Sequence, residues 1–214
     1  MHMVSIWAGL GKQLRTPSGR YGRFAGRLMA LINGAPHRCA IAALDVQPHD
    51  TVLELGFGPG RGIVSLARQA MRGKVLGIDH SPEMLDIAKR ASRQEISHGR
   101  VHLRLGHFDD LPYADDSISK VIAINVAYFF GIEGKEIAEI YRVLQPRGRV
   151  VIYVTDRATM RKWKFSGSDT HRLYDAADLN RTLRQGGFDD RNIFIETIRL
   201  PFGMRGLVAA AVKN

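Results

Sequence analysis

The sequence is short of several things, and each shortage closes off a class of answer. It has one cysteine, Cys39. No disulfide can form within the chain, so the fold has to rest on a buried core. That usage agrees with a reducing compartment, and the expected location is the cytoplasm. No apolar run approaches the about 20 residues that a helix needs to cross a bilayer. The N-terminus also lacks the apolar block of a secretory signal. Internal repeats and low-complexity tracts are missing. No group of His, Cys, Asp and Glu shows metal-ligand spacing, and Asp109, Asp110, Asp115 and Asp116 read as turn and surface acids. Acidic residues are absent before Asp45.

What remains is ordinary in bulk and uneven in charge. A chain of 214 residues that is 45% hydrophobic suits one domain with a sizeable core. The net charge is +10, which favours an anionic partner: nucleic acid, an anionic membrane surface or an acidic small molecule. Part of that charge sits on Lys12, Arg15, Arg20, Arg23, Arg27 and Arg38. A second cluster is Arg157, Arg161, Lys162 and Lys164, with Trp163 among them. Across residues 20–33, Tyr21, Phe24, Leu28 and Ile32 recur at helical spacing while Arg20, Arg23 and Arg27 fall on another face. This predicts a basic amphipathic helix. A second short helix is predicted over 38–44, and the two together form a helical cap over residues 3–47, ahead of a main domain at 48–214.

From residue 51 onward, strands and helices alternate. Strands are predicted at 51–55, 74–79, 101–105, 121–125 and 149–155. Helices are predicted at 60–71, 81–94, 133–144 and 175–185. Ser81 is a natural N-cap with Pro82 behind it, and Gly186-Gly187 stops the last helix. Pro146-Arg147-Gly148 reads as a turn into the fifth strand. Such alternation gives an α/β fold with a parallel sheet covered by helices on both faces. The last two strands, 192–200 and 206–212, have no helix between them, so one strand at the sheet's edge should run antiparallel.

The strongest motif is Val52-Leu53-Glu54-Leu55-Gly56-Phe57-Gly58-Pro59-Gly60, which leaves a strand and opens a helix. Glycines there permit a tight turn and let a ligand approach the backbone closely. Asp79 ends the next strand about 20 residues on, where a carboxylate can accept from both hydroxyls of a ribose. Dinucleotide folds share this pairing. Three features favour S-adenosylmethionine over a nicotinamide: the Gly-x-Gly-x-Gly spacing, the acid Glu54 two residues before the first glycine, and the length of chain ahead of the loop.

With these residues in view, the sequence resembles the class I, Rossmann-like S-adenosylmethionine-dependent methyltransferases, in particular their small-molecule "type 11" group. The likeness runs from about residue 48. It takes in 52–60, then Val75 to Leu85, Gly106 to Tyr113 and Tyr141 to Arg149. It implies a seven-stranded, mostly parallel sheet of order 3-2-1-4-5-7-6 with the seventh strand antiparallel. It implies S-adenosylmethionine as cofactor. Glu54, Gly56, Phe57, Gly58 and Gly60 would lie along its methionine part, and Asp79 would take the ribose with His80 and Met84 beside it. Phe108 would line the adenine, and Asn125 would sit near the transferred methyl. The family often carries an aspartate where this chain has His107, and a neutral imidazole is a weaker acceptor for the adenine amino group.

Methyl transfer is an in-line displacement in which alignment supplies much of the acceleration. An amine acceptor needs only to be neutral, whereas a hydroxyl needs a base within reach. The candidates for that base are His37, Tyr128 and His171. The expected activity is methyl transfer to a small molecule, anionic or a lipid headgroup, beneath an N-terminal lid. Peripheral membrane contact is compatible with the basic face. Two other readings stand beside it: an RNA methyltransferase, suggested by the charge, and a non-catalytic S-adenosylmethionine-binding module, suggested by His107.

Overall fold

The computed structural model describes residues 34–162 and 172–214. A single seven-stranded sheet organises them, in the order β3-β2-β1-β4-β5-β7-β6. The strands are β1 (Thr51–Leu55), β2 (Lys74–Asp79), β3 (Val101–Leu105), β4 (Ile118–Ile124), β5 (Leu144–Thr155), β6 (Ile193–Arg199) and β7 (Arg205–Val212). The helices are α1 (Gly34–Leu44), α2 (Arg61–Gln69), α3 (Pro82–Ala91), α4 (Arg93–Ser97), α5 (Lys135–Val143), α6 (Arg157–Met160) and α7 (Ala176–Gln185).

Period-two alternation decides which helix covers which face. In β1, Val52 turns to one side of the sheet, where it joins Ile122, Val151 and Tyr153 beneath α1, α2 and α3. Leu53 and Leu55 turn to the other side and join Val121, Val150 and Ile152 beneath α5 and α7. Ala40 and Leu44 of α1 are fully buried in the first of these clusters. The predicted helix 38–44 therefore begins earlier, at Gly34, and packs on β4, β5 and β7 as part of the core. The basic stretch of residues 20–33 lies outside the described residues.

Three strands fall where the sequence places them: β1 stops before Gly56, β2 on Asp79 and β3 before Gly106. The sheet order and the antiparallel seventh strand are those the resemblance implies. β7 runs antiparallel to both β5 and β6 and sits one place in from the edge, while β6 forms the edge itself. A difference concerns Pro146-Arg147-Gly148. Instead of a turn before the strand, β5 starts at Leu144 directly after α5 and absorbs an irregularity between Ile118 and Lys120 on β4. Arg147 takes a left-handed φ of 65° there and its N–H donates to the Lys213 carbonyl at 3.0 Å. The predicted helix 81–94 breaks at Ser92 into α3 and α4. Ser81 caps α3 as expected, its hydroxyl accepting from the Met84 N–H at 3.3 Å with Pro82 behind it.

Candidate cofactor and acceptor site

The loops that follow β1, β2, β3 and β4 lie side by side at the carboxyl edge of the sheet, where ligands bind in such folds. Hydrogen bonds fasten them together. Gly56 N–H donates to the Ile78 carbonyl at 2.8 Å, and Gly106 N–H donates to the Asp79 carbonyl at 3.1 Å.

All three loop glycines have left-handed backbone, with φ of 65° at Gly56, 50° at Gly58 and 83° at Gly60. Their surroundings differ. A methyl on Gly56 would overlap the Val126 side chain, so that glycine lets the β1 loop close on the turn after β4. A methyl on Gly60 would sit 2.8 Å from Ala88 Cβ, so that glycine lets α2 approach α3. Among the described residues, a methyl on Gly58 would meet nothing within 4 Å. Gly58 is thus the loop glycine with room beside it. Phe57 behaves otherwise than the sequence suggests. Its ring is buried and packs under Gly77, so it serves the core rather than the open side of the loop.

Asp79 is buried, with 4% of its surface exposed. Its two oxygens accept from the Gly58 N–H and the Ser81 N–H, each at 2.9 Å. It therefore shapes the glycine turn before any ligand arrives, and each oxygen keeps a lone pair for a further donor. His80 is exposed, with Nδ1 3.8 Å from Asp79, and Met84 is half-buried on the first turn of α3.

Glu54 lies deeper still, 2% exposed, and its Oε2 has no hydrogen-bond partner among the described residues. Desolvation and the nearby charge of Asp79 push its carboxyl up to about 8. The pocket for it exists because of Gly62: a methyl at that position would overlap the carboxyl group. Gly62 stands outside the glycine motif of the loop. Its signal was a glycine in the first turn of a helix, where a better helix former is usual.

On the β3 loop His107 is exposed, and Phe108 is half-buried, edge-on to Phe130 at 6.2 Å. On the β4 side Asn125 has a φ of 57° just beyond the strand. Tyr128 follows on a 3₁₀ turn and is buried. Its hydroxyl accepts from the Thr155 N–H at 2.6 Å and donates to Asn125 Oδ1 at 3.1 Å. Burial pushes this phenol well above its ordinary range. A hydroxyl so engaged orients Asn125 and is badly placed to take a proton as a base. His37 is half-buried on α1. Desolvation and the charge of Arg61, the residue after Gly60, lower its imidazole below the ordinary histidine value. His171 lies outside the described residues.

Of the second basic cluster, Arg157 is spent internally. It pairs with Asp175 at 2.9 Å and with Asp178, the two residues that make the capping box of α7. Among the described residues no group of His, Cys, Asp and Glu is arranged to hold a metal ion, and no helix is long and apolar enough to cross a membrane.

Known proteins resemble this chain in sequence and fold. A family model described as a methyltransferase domain matches residues 52–148. The uncharacterized methyltransferase YdaC of Bacillus subtilis is 29% identical over 178 residues, which span 82% of this chain and 91% of YdaC. The ubiquinone/menaquinone biosynthesis C-methyltransferase UbiE of Geotalea daltonii is 31% identical over 136 residues, 60% of this chain and 56% of UbiE. The match to a 37.1 kDa protein in the Streptomyces fradiae transposon TN4556, 36% identical, spans 41% of that protein's length. Among solved structures, a methyltransferase in complex with the Haloferax volcanii Trm112 methyltransferase activator is alike in fold. Its TM-score is 0.74 at 21% identity, over 90% of this chain and 95% of that one.

Proposed function

Because the chain belongs to the class I methyltransferases, whose cofactor is S-adenosylmethionine, we propose that it methylates a small molecule or a lipid headgroup. The observation that carries this reading is that, among the described residues, space is open over Gly58 and the buried Oε2 of Glu54 has no partner. A ligand that lies against the loop backbone and carries a cationic amine fits both features. The residues that would hold it are Glu54, Gly56, Gly58 and Gly60 along the methionine part and Asp79 at the ribose. His80 and Met84 would flank the ribose, and His107 and Phe108 would meet the adenine. Bound there, the cofactor supplies a sulfonium methyl that is already electrophilic.

The protein's own work is then alignment and proton handling. Asp79 pre-forms the turn through Gly58. Tyr128 fixes Asn125 from the Thr155 N–H. His37, kept neutral by burial and by Arg61, can accept the proton of a hydroxyl acceptor once that acceptor is bound. One relative is named a ubiquinone/menaquinone biosynthesis C-methyltransferase, which supports a small-molecule acceptor. The net charge of +10 supports an anionic one.

The test is calorimetric titration with S-adenosylmethionine and S-adenosylhomocysteine, followed by a labelled-methyl screen against phenols, amines, lipid headgroups and RNA. The expected result is saturable binding of both nucleosides and label on a small molecule or lipid. Absence of binding would overturn the reading. Label on RNA alone would replace the acceptor class.

A further inference from the structure

The path from β3 to β4 is the anomalous connection in the sheet. β3 is at one edge and β4 lies near the middle, so a chain joining them in parallel has to cross over one face. Such crossovers are usually helical, because a helix satisfies its own backbone. Residues 106–117 contain no helix. Their peptide groups need partners from elsewhere, and α5 supplies them.

Arg142, in the last turn of α5, spends all five N–H donors of its guanidinium within this one cluster. Nη2 donates to the Leu111 carbonyl at 2.9 Å and to Glu139 Oε2 at 2.7 Å. Nη1 donates to the Tyr113 carbonyl at 2.8 Å and to Asp115 Oδ1 at 2.7 Å. Nε donates to Glu139 Oε1 at 2.7 Å. Glu139 Oε2 in turn accepts the Leu111 N–H at 2.8 Å. Both backbone groups of Leu111 are therefore held by a single Arg–Glu unit. The end of α5 continues the grip, with the Asp116 N–H on the Arg142 carbonyl at 3.1 Å and the Ser117 N–H on the Val143 carbonyl at 3.0 Å. The segment so held begins with Gly106, His107 and Phe108. Leu111 is 2% exposed and anchors it in the core, and Phe108 rests edge-on against Phe130.

We propose that Arg142, acting through Glu139, is a positioning residue for the cofactor's adenine: the clamp on Leu111 and Tyr113 fixes where His107 and Phe108 stand. This rests on the reading of the site given above. A lysine cannot replace it, since a single ammonium cannot reach two carbonyls and two carboxylates in one plane. The geometry is rigid where a surface ion pair would be loose, because every donor is spoken for and two of the acceptors are main-chain.

The experiment compares the native chain with Arg142→Gln, Arg142→Lys and Glu139→Gln. Binding of S-adenosylhomocysteine and of its analogue with hypoxanthine in place of adenine is measured by calorimetry at a temperature where each variant is folded. Hydrogen exchange is followed at the amides of residues 106–113. The native chain should prefer the adenine compound. Arg142→Gln should lose at least about tenfold in affinity for it, since small displacements of positioning groups carry costs of that order. The analogue should bind almost unchanged, so the discrimination ratio collapses while the amides of 106–113 exchange faster. Arg142→Lys should resemble Arg142→Gln despite keeping the charge. A role confined to stability would lower the melting temperature and leave the ratio alone, and that result overturns the proposal. Failure of the native chain to bind S-adenosylhomocysteine overturns the site reading itself, and the two failures are told apart by that first titration.

Discussion

A carboxyl group held away from water is costly to ionise, and Glu54 carries that cost in its raised value of about 8 against an ordinary 4.5. Between those two values the native chain holds a proton that the unfolded chain releases. The stabilisation from this group is complete below pH 4.5 and is lost as pH rises through about 8. Glu54→Gln should flatten the fall in unfolding free energy of the unliganded protein between pH 5 and 8. Chemical denaturation across that range is the measurement, and parallel curves for the two proteins would sink the idea. Asp79 makes a different case. The sequence marks it as a ribose acceptor, yet its oxygens already serve Gly58 and Ser81. Asp79→Ala should weaken S-adenosylmethionine binding by about 1–3 kcal/mol, the cost of removing a charged acceptor from buried donors. It should also lower the melting temperature, because the buried Ser81 N–H and the part-buried Gly58 N–H lose their partner. An affinity loss with no change in melting would confine Asp79 to the ligand. The sequence places Tyr128 just after the fourth strand, where the structure has it on a 3₁₀ turn. Its role as the orienter of Asn125 was not legible, because its donor, the Thr155 N–H, is 27 residues away in the chain.

At the scale of elements, the glycine loop divides its labour in a way no spacing rule reveals. Gly56 and Gly60 are required by neighbours inside the protein, Val126 and Ala88, whereas Gly58 faces open space. Gly56→Ala should therefore fail to fold or melt far below the native chain. Gly58→Ala should fold, paying about 1–2 kcal/mol for a Cβ in left-handed backbone, yet lose most of its affinity for S-adenosylhomocysteine. Thermal melting and calorimetry on the pair check this, and undiminished affinity in folded Gly58→Ala would contradict the assigned pocket. The strands 51–55, 74–79 and 101–105 could be read to the residue because Gly56, Asp79 and Gly106 mark where they stop. The start of β5 could not. Pro146-Arg147-Gly148 has turn composition, and the strand continues through it by two bonds to distant Lys213, whose carbonyl accepts from the Arg147 N–H and whose N–H donates to the Gly148 carbonyl. The Arg142 clamp was hidden for the same reason: its acceptors lie 29 and 31 residues back. Local pattern reports neighbours along the chain, and these contacts are made across the sheet.

For the whole molecule, the open matter is how the excess of positive charge meets the acceptor. The described part of the N-terminal region starts at Gly34. From there on it is core: Ala40 and Leu44 are fully buried, and the Ala43 carbonyl accepts from Arg149 Nη1 at 2.9 Å. Residues 20–33 hold Arg20, Arg23 and Arg27 on one face of a predicted helix, and they precede His37 by a short stretch of chain. A basic segment in that position can cover the donor, exclude water from the sulfonium and draw in an anionic acceptor. Deletion of residues 3–33 should then abolish methyl transfer while S-adenosylhomocysteine still binds, because the glycine loop, Glu54 and Asp79 are untouched. Deletion through residue 44 should instead destroy the fold, since it strips a helix from the core. Replacing the three arginines by glutamine in the full chain should raise the Michaelis constant for an anionic acceptor, and salt should narrow the gap between variant and native chain, as screening removes the attraction from both. Steady-state kinetics at low and high ionic strength, beside calorimetry on the 3–33 deletion, decide the matter. Full turnover by that deletion would leave the segment without a part in catalysis, and a salt-independent gap would move the arginines from steering to direct contact.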